Sequence, residues 1–333
     1  MSFRVAVVGG GSWGTTVAAL ACRNVPTTLW CRRAELAAEL NRSHTNCDYL
    51  SGFTLPAELT ATSLLEEAVA GADVLVMGVP SHGMRATLGE LAGYVTPGIP
   101  VVSLAKGLEQ GTDLRMTQVI AEELPGRPTG VLTGPNLARE ILAGQAAASV
   151  MAFADHDVAI DVQRVFAGDL FRVYTSSDVL GCEIAGALKN VFAIASGMAD
   201  GLGTGDNTRA AVITRGLAEL ARLGEAMGGL PMTFFGLAGM GDLVATCISK
   251  QSRNRYVGEQ LGLGRTIGEI QAEMKMVAEG VKTTKVVMDL AGRHGVDMPI
   301  ATEVYGVLYE GHTAQDAYRG LLRRASGPEH RHT

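Results

Sequence analysis

The stretch Arg4–Gly14, RVAVVGGGSWG, decides how the chain is read. A β-branched run stops at glycines and resumes as TTVAALACR with helical spacing, so the order is strand, tight turn, helix. Gly9, Gly11 and Gly14 fit the pattern G-x-G-x-x-G. The first glycine makes the turn, the second lets backbone approach a pyrophosphate, and the third lets helix and strand pack closely. Backbone amides opening the helix then face a phosphate. With a strand before it and a helix behind it, the turn predicts a dinucleotide site.

Outward from the turn, strand and helix alternate, as a doubly wound parallel sheet requires. The second strand falls near Thr27–Cys31, and the glycine fingerprint expects a residue about 20 positions on to meet the adenosine ribose. An acid there favours NAD. This chain has Arg32 and Arg33, which suit a 2′-phosphate, so NADP is favoured with NAD still allowed; two solvated arginines opening a helix are the plain alternative. Further strands are expected in ADVLVMGVP from Ala72, PVVSLA from Pro100, GVLTGP ending at Thr133, AAASVMAF and FRVYTSS, with a helix from about His156 to Ala167. Ligands bind outside the carboxyl ends of such strands, which gathers Pro80, Lys106 and Gly134 to Asn136 by topology alone.

From Cys182 the signal becomes helical, in CEIAGALKNVFAIASGMADG, TRAAVITRGLAELARLGEAMG and segments after Gly241, Glu279 and Ala301. The expected organisation is α/β: a Rossmann-like doubly wound sheet over 1–188, an all-helical substrate domain over 189–325, and a frayed tail over 326–333. The cleft between the domains is the expected site.

The 333 residues, 47% of them hydrophobic, suffice for two domains with large cores. No apolar run of membrane-spanning length is expected, so no membrane insertion, and Met1 leads almost directly into a strand, which predicts no signal peptide and a cytoplasmic location. Five scattered cysteines without C-x-x-C spacing and seven histidines without paired spacing suggest neither a disulfide framework nor a metal site. A net charge of −6 argues against nucleic-acid binding, so an anionic ligand must meet locally placed cations. The sequence is compatible with a homodimer.

Only six of the 28 basic residues are lysines, which singles out a lysine in an apolar helix. Lys189 sits among Ile184, Ala185, Leu188, Val191, Phe192 and Ala195. A buried ammonium must be paired, and desolvation moves it towards proton transfer near neutral pH, so Lys189 is the acid/base candidate; a snorkelling or ion-paired lysine is the alternative. Asn190 beside it points about 100° round the helix and can still reach the same cleft. In GLAGMGDLVATC, Asp242 follows a glycine-rich turn and reads as a helix cap on local grounds. Downstream, Ser252, Arg253 and Asn254 offer a hydroxyl, a forked cation and an amide, which are phosphate-ligand types that also occur in solvated loops. Val277 and Glu279 in MVAEG precede a helix beginning near Val281.

The segments GGGSWGTTVA, SLAKGLE, TGPNLARE, ALKNVFAIASGMADGL, GLAGMGDLVATC, SRN and VAEG, in this order and spacing, resemble the bacterial-type NAD(P)-dependent glycerol-3-phosphate dehydrogenases over essentially the whole chain. The resemblance implies reversible reduction of dihydroxyacetone phosphate to sn-glycerol 3-phosphate, feeding glycerophospholipid synthesis, with a phosphorylated small molecule as the partner. It implies Lys189 as proton donor to the C2 oxygen and Lys106 as a substrate ligand that holds the charged constellation. It further implies Gly134, Asn136, Asp242, Ser252, Arg253 and Asn254 around the substrate. Ser12, Trp13, Arg32, Arg33, Tyr49, Lys106, Ala138, Arg253, Val277 and Glu279 are implied at the dinucleotide. Two departures from the family pattern are Asn136, where many members have serine, and Gly10, where alanine is common; neither removes a group the reaction needs. Rival readings are another two-domain NADP-dependent hydroxy-acid or ketopantoate-type dehydrogenase, and a non-catalytic NADP-binding protein.

Overall fold

The structure, a computed structural model, describes residues 3–274 and 278–323. Val277 and the expected tail therefore lie outside the described residues. The chain forms two compact units: one holds the chain up to Ala187 together with Gly224–Asp242, the other Leu188–Leu223 together with the chain from Leu243. The expected single boundary at 188/189 differs from this interleaved path, because a segment from the helical half returns to the first unit. Asp178 holds it there: its carboxylate accepts from Gly181 N and Leu230 N, each at 2.8 Å, and from the Thr233 hydroxyl at 2.6 Å.

The first unit is an eight-stranded sheet of β1 (Val5–Val8), β2 (Thr27–Trp30), β3 (Thr60–Thr62), β4 (Val74–Met77), β5 (Val101–Ser103), β6 (Thr129–Thr133), β7 (Ala147–Phe153) and β8 (Phe171–Ser176). The spatial order is β3-β2-β1-β4-β5-β6-β7-β8. Every neighbouring pair is parallel except β6 with β7. The central strands are buried along their whole length because side chains alternate between two apolar layers. Val5, Val7, Val74 and Val76 join the core under helices Ser12–Ala21 and His156–Phe166, while Ala6, Val8, Leu75 and Met77 join the core under Ser81–Leu91 and Met116–Glu123. The short strand β3 was not expected. Its residues TAT carry no apolar run, and only pairing to β2 through Thr28 and Thr60 makes it a strand.

Among its described residues the second unit contains helices and connecting loops but no strand. Helix Val179–Gly201 starts in the first unit and continues into the second, and Asp206–Ala226, Arg253–Gly262, Glu279–His294 and Pro299–Tyr309 follow. Against the expectation of no membrane-length run, Val179–Gly201 is long and apolar enough to cross a bilayer by length and mean hydropathy alone. Its residues from Ile184 to Ile194 are nonetheless buried in protein, as in the core helix of a folded domain. Two glycines on each of two helices, Gly197 and Gly201 on this one and Gly258 and Gly262 on Arg253–Gly262, set how it packs. A β-carbon at Gly197 would lie 2.8 Å from Glu259 N, and one at Gly262 would lie 2.8 Å from the Gly201 Cα, so helices Val179–Gly201 and Arg253–Gly262 cross with backbones in contact.

Candidate active site

The glycine turn is fixed from the sheet outward. Gly9 N donates to Trp30 O at 3.1 Å and Gly78 N to Val8 O at 2.8 Å, which knits the carboxyl ends of β1, β2 and β4. Gly9 has φ +130°, and a β-carbon there would lie 2.6 Å from Gly78 O. A β-carbon on Gly14 would run into the Gly9 carbonyl. Gly11 is different: a β-carbon would meet nothing within 4 Å, so internal packing does not require glycine there. The helix opening at Ser12 carries no side-chain cap on its amides. A low backbone surface beside uncapped amides fits a pyrophosphate, so these residues could hold a dinucleotide. Ser12 Oγ lies 3.5 Å from Tyr49 O, and Trp13 packs against Phe171 with ring centroids 6.5 Å apart.

At the end of β2, Arg32 and Arg33 are exposed. Arg33 forms an ion pair with Asp48, while Arg32 has no ion pair among the described residues. Ala138 opens the short helix Ala138–Leu142 and is half-buried.

A second constellation stands at the ends of β5 and β6. Lys106 Nζ donates to Gly134 O at 2.8 Å and to Asp242 Oδ2 at 2.7 Å. Asp242 is only 2% exposed, so what local sequence reads as a helix cap is a buried carboxylate with a lysine partner. It is delivered by the turn of π-helix Leu237–Gly241, which runs directly into helix Asp242–Ile248. Asn136 takes up Ser149: its Nδ2 lies 3.0 Å from the Ser149 hydroxyl, which also donates to Thr133 O at 2.9 Å. Pro80 is exposed and opens helix Ser81–Leu91.

In the second unit Lys189 is 4% exposed, and its Nζ donates to the Thr246 hydroxyl at 2.7 Å. Thr246 escaped the sequence reading, although it lies one helical turn beyond Asp242 on the same segment. Next to Lys189, Asn190 Oδ1 accepts from Asn254 Nδ2 at 2.8 Å, and Asn254 Oδ1 accepts from Gly280 N at 2.9 Å. Asn254 thus ties the lysine helix to the first turn of Glu279–His294. Ser252 caps helix Arg253–Gly262, its Oγ accepting from Arg255 N at 3.2 Å. Arg253 is solvent-accessible yet closely surrounded by protein: desolvation pushes its guanidinium pKa down, with the nearby charge of Glu279 opposing. A solvent-accessible guanidinium is suited to an anionic ligand. Among the described residues no cluster of histidine, cysteine and carboxylate could hold a metal ion.

A doubly wound sheet with a glycine turn of this geometry defines a dinucleotide-binding protein of the Rossmann class. Residues 4–159 match the family model for the NAD-dependent glycerol-3-phosphate dehydrogenase N-terminus, and residues 178–319 match that for its C-terminus. The chain belongs to the NAD-dependent glycerol-3-phosphate dehydrogenase family. It is 59% identical over 329 residues, 99% of each chain, to a protein named glycerol-3-phosphate dehydrogenase [NAD(P)+] 2 from Sphingopyxis alaskensis. Its fold is similar to the crystal structure of glycerol-3-phosphate dehydrogenase from Coxiella burnetii, with TM-score 0.92 and 35% identity, covering 97% of this chain and 99% of that one. A ketopantoate reductase from Ralstonia eutropha superposes with TM-score 0.60 at 15% identity, covering 95% of this chain and 100% of that one, a likeness of fold alone.

Proposed function

We propose that this protein is an NAD(P)-dependent sn-glycerol-3-phosphate dehydrogenase that reversibly reduces dihydroxyacetone phosphate. The observation that carries the reading is the ammonium of Lys189, 4% exposed within an apolar helix, in a chain whose two halves both match one dehydrogenase family. The role is cytoplasmic and supplies glycerol 3-phosphate to glycerophospholipid synthesis.

Gly9, Gly11 and Gly14 with Ser12 and Trp13 would hold the pyrophosphate of the dinucleotide, and Arg32, Arg33 and Tyr49 its adenosine. Ala138, Lys106, Arg253 and Glu279 would complete its contacts; Val277, implied there by the sequence resemblance, lies outside the described residues. When bound, the dinucleotide supplies hydride chemistry. The chain's own residues do the rest. Lys189 holds a proton for the C2 oxygen and stabilises the negative charge that grows there on reduction, without reorganisation at the moment of reaction. In the oxidative direction it takes that proton from the C2 hydroxyl. The Thr246 hydroxyl, accepting from Nζ at 2.7 Å, fixes where the ammonium points. Lys106, held by Asp242 and Gly134 O, offers a second fixed cation to the substrate.

The phosphate does not react, so its binding energy serves to position the carbonyl. Arg253 takes it, with Ser252 and Asn254 shaping the first turn that carries the guanidinium. The test is spectrophotometric: purified protein should consume NADH or NADPH only when dihydroxyacetone phosphate is added. No consumption with either cofactor, or equal consumption with ketopantoate, would overturn the assignment.

A further inference from the structure

The arginines at the end of β2 are not equivalent. Arg33 is bonded to Asp48, whereas Arg32 has no ion pair among the described residues. Both members of the Arg33–Asp48 pair are about half exposed, and an isolated surface pair of that kind contributes little. This one is placed by buried groups. Asp48 lies on the short helix Cys47–Leu50, and the residue before that helix, Asn46, is fully buried. Asn46 Nδ2 donates to Gly10 O at 3.0 Å and to Thr15 Oγ1 at 2.9 Å, which locks the segment onto the glycine turn and its helix. Glu39 adds a second tether, its Oε1 accepting from Thr45 Oγ1 at 2.8 Å and Cys47 N at 2.9 Å. Leu55 N donates to His44 O at 2.8 Å and closes the loop behind. The carboxylate of Asp48 is therefore presented to Arg33 by a segment anchored to the dinucleotide turn itself.

Resting on the dinucleotide site proposed above, we infer that Asp48 is a cofactor-specificity residue: it engages Arg33 and sets a negative charge beside the place of the 2′-phosphate. A 2′-phosphate must compete with Asp48 for Arg33 and meets like charge there, while Arg32 still attracts it. A 2′-hydroxyl meets no such repulsion, and a carboxylate can accept its hydrogen bond. The pair thus holds the site near balance between NADP and NAD, where two unopposed arginines would commit it to NADP. Glu35, which opens the helix after Arg33, adds to the negative field on this arginine.

The test is the isosteric variant Asp48→Asn, compared with wild type in steady-state assays with NADPH and with NADH. The NADPH/NADH ratio of kcat/KM should rise about tenfold, mainly through a lower KM for NADPH, the size expected of removing one like charge at contact distance in water. In the Arg33→Ala background the same change should raise the ratio by a smaller factor, because freeing Arg33 no longer contributes. Affinity for 2′,5′-ADP relative to 5′-AMP, measured by calorimetry on wild type and variant, provides a readout independent of turnover and should shift in the same direction. An unchanged or reduced ratio in folded Asp48→Asn, or unchanged relative affinity for 2′,5′-ADP, overturns the inference. Failure of the wild-type enzyme to turn over with either cofactor would instead strike the underlying functional reading.

Discussion

Glycine does different work in the two units, and the contrast shows how each unit positions its own candidate residues. In the first, Gly9 and Gly14 shape one short stretch of chain: Gly9 turns with φ +130°, and Gly14 leaves room for the Gly9 carbonyl. In the second, Gly197, Gly201, Gly258 and Gly262 lie inside regular helices and remove bulk where two helices cross. The turn makes a surface for a ligand. The crossing sets the distance between the helix of Lys189 and the helix that opens at Arg253, and with it the hydrogen bond from Asn254 to Asn190.

The largest effect should come from removing the group that the crossing positions. Lys189→Ala should lower kcat by about 10³-fold or more, within the range of a general acid that also stabilises charge, while the dinucleotide still binds by fluorescence titration. Near-normal turnover in that variant would take Lys189 out of the chemistry. Gly14→Ala comes next and probes the turn: dinucleotide affinity should drop at least tenfold while the second unit keeps its fold, because the new methyl group displaces the Gly9 carbonyl. Retained affinity would show that the turn can relax. Gly258→Ala probes the crossing. A β-carbon there would lie 2.9 Å from Met198 N, so stability should fall by about 1–3 kcal/mol in urea denaturation, together with a loss of kcat that Gly14→Ala does not share. If both glycine variants lose only cofactor affinity, the two regions do not differ in the way described.

Arg253→Ala should raise the KM for dihydroxyacetone phosphate about tenfold or more with a smaller change in KM for the dinucleotide, as loss of a charged hydrogen bond to phosphate predicts. An unchanged KM would move the phosphate elsewhere. The smallest effect concerns Glu219, buried within the second unit. Its carboxylate accepts from Ile300 N at 2.8 Å and Ala301 N at 3.2 Å, yet burial pushes its pKa up to about 7 despite those amides. Its folded pKa is raised above the ordinary carboxylate value, so its contribution to stability is full below about pH 4.5 and is lost as pH rises through about 7. Melting curves of wild type and Glu219→Gln should therefore diverge over that interval, with wild type losing stability relative to the variant as pH rises. Parallel curves would exclude ionisation of Glu219 as the cause.

Most of the sheet could be read from the chain, because a buried parallel strand needs a short β-branched run and a turn after it, and VAVV, VLVM and TGVLT supply both. Strand β3 could not, since its pattern is polar and its identity comes from its neighbour. Lys189 could be picked out as the one lysine in an apolar helix, and Lys106 and Gly134 as strand-end neighbours. The partner of Lys106 could not: Asp242 is 136 residues away and looks locally like a cap. Asn254 looks like a loop ligand, whereas its amide and carbonyl are already engaged by Asn190 and Gly280.

What the sequence determined by itself, then, are the features whose cause lies within a few residues: the glycine turn, the strands with buried faces, and a lysine in a helix whose other positions are nearly all small or apolar. Tertiary structure decided the pairings. Arg33 and Asp48 are 15 residues apart, Lys189 and Thr246 are 57 apart, and each pair meets only because the fold brings distant backbone together. Local conformational preference is encoded in adjacent side chains, but the partner of a charge is selected by whatever the packed core carries up to it, and that depends on every element at once.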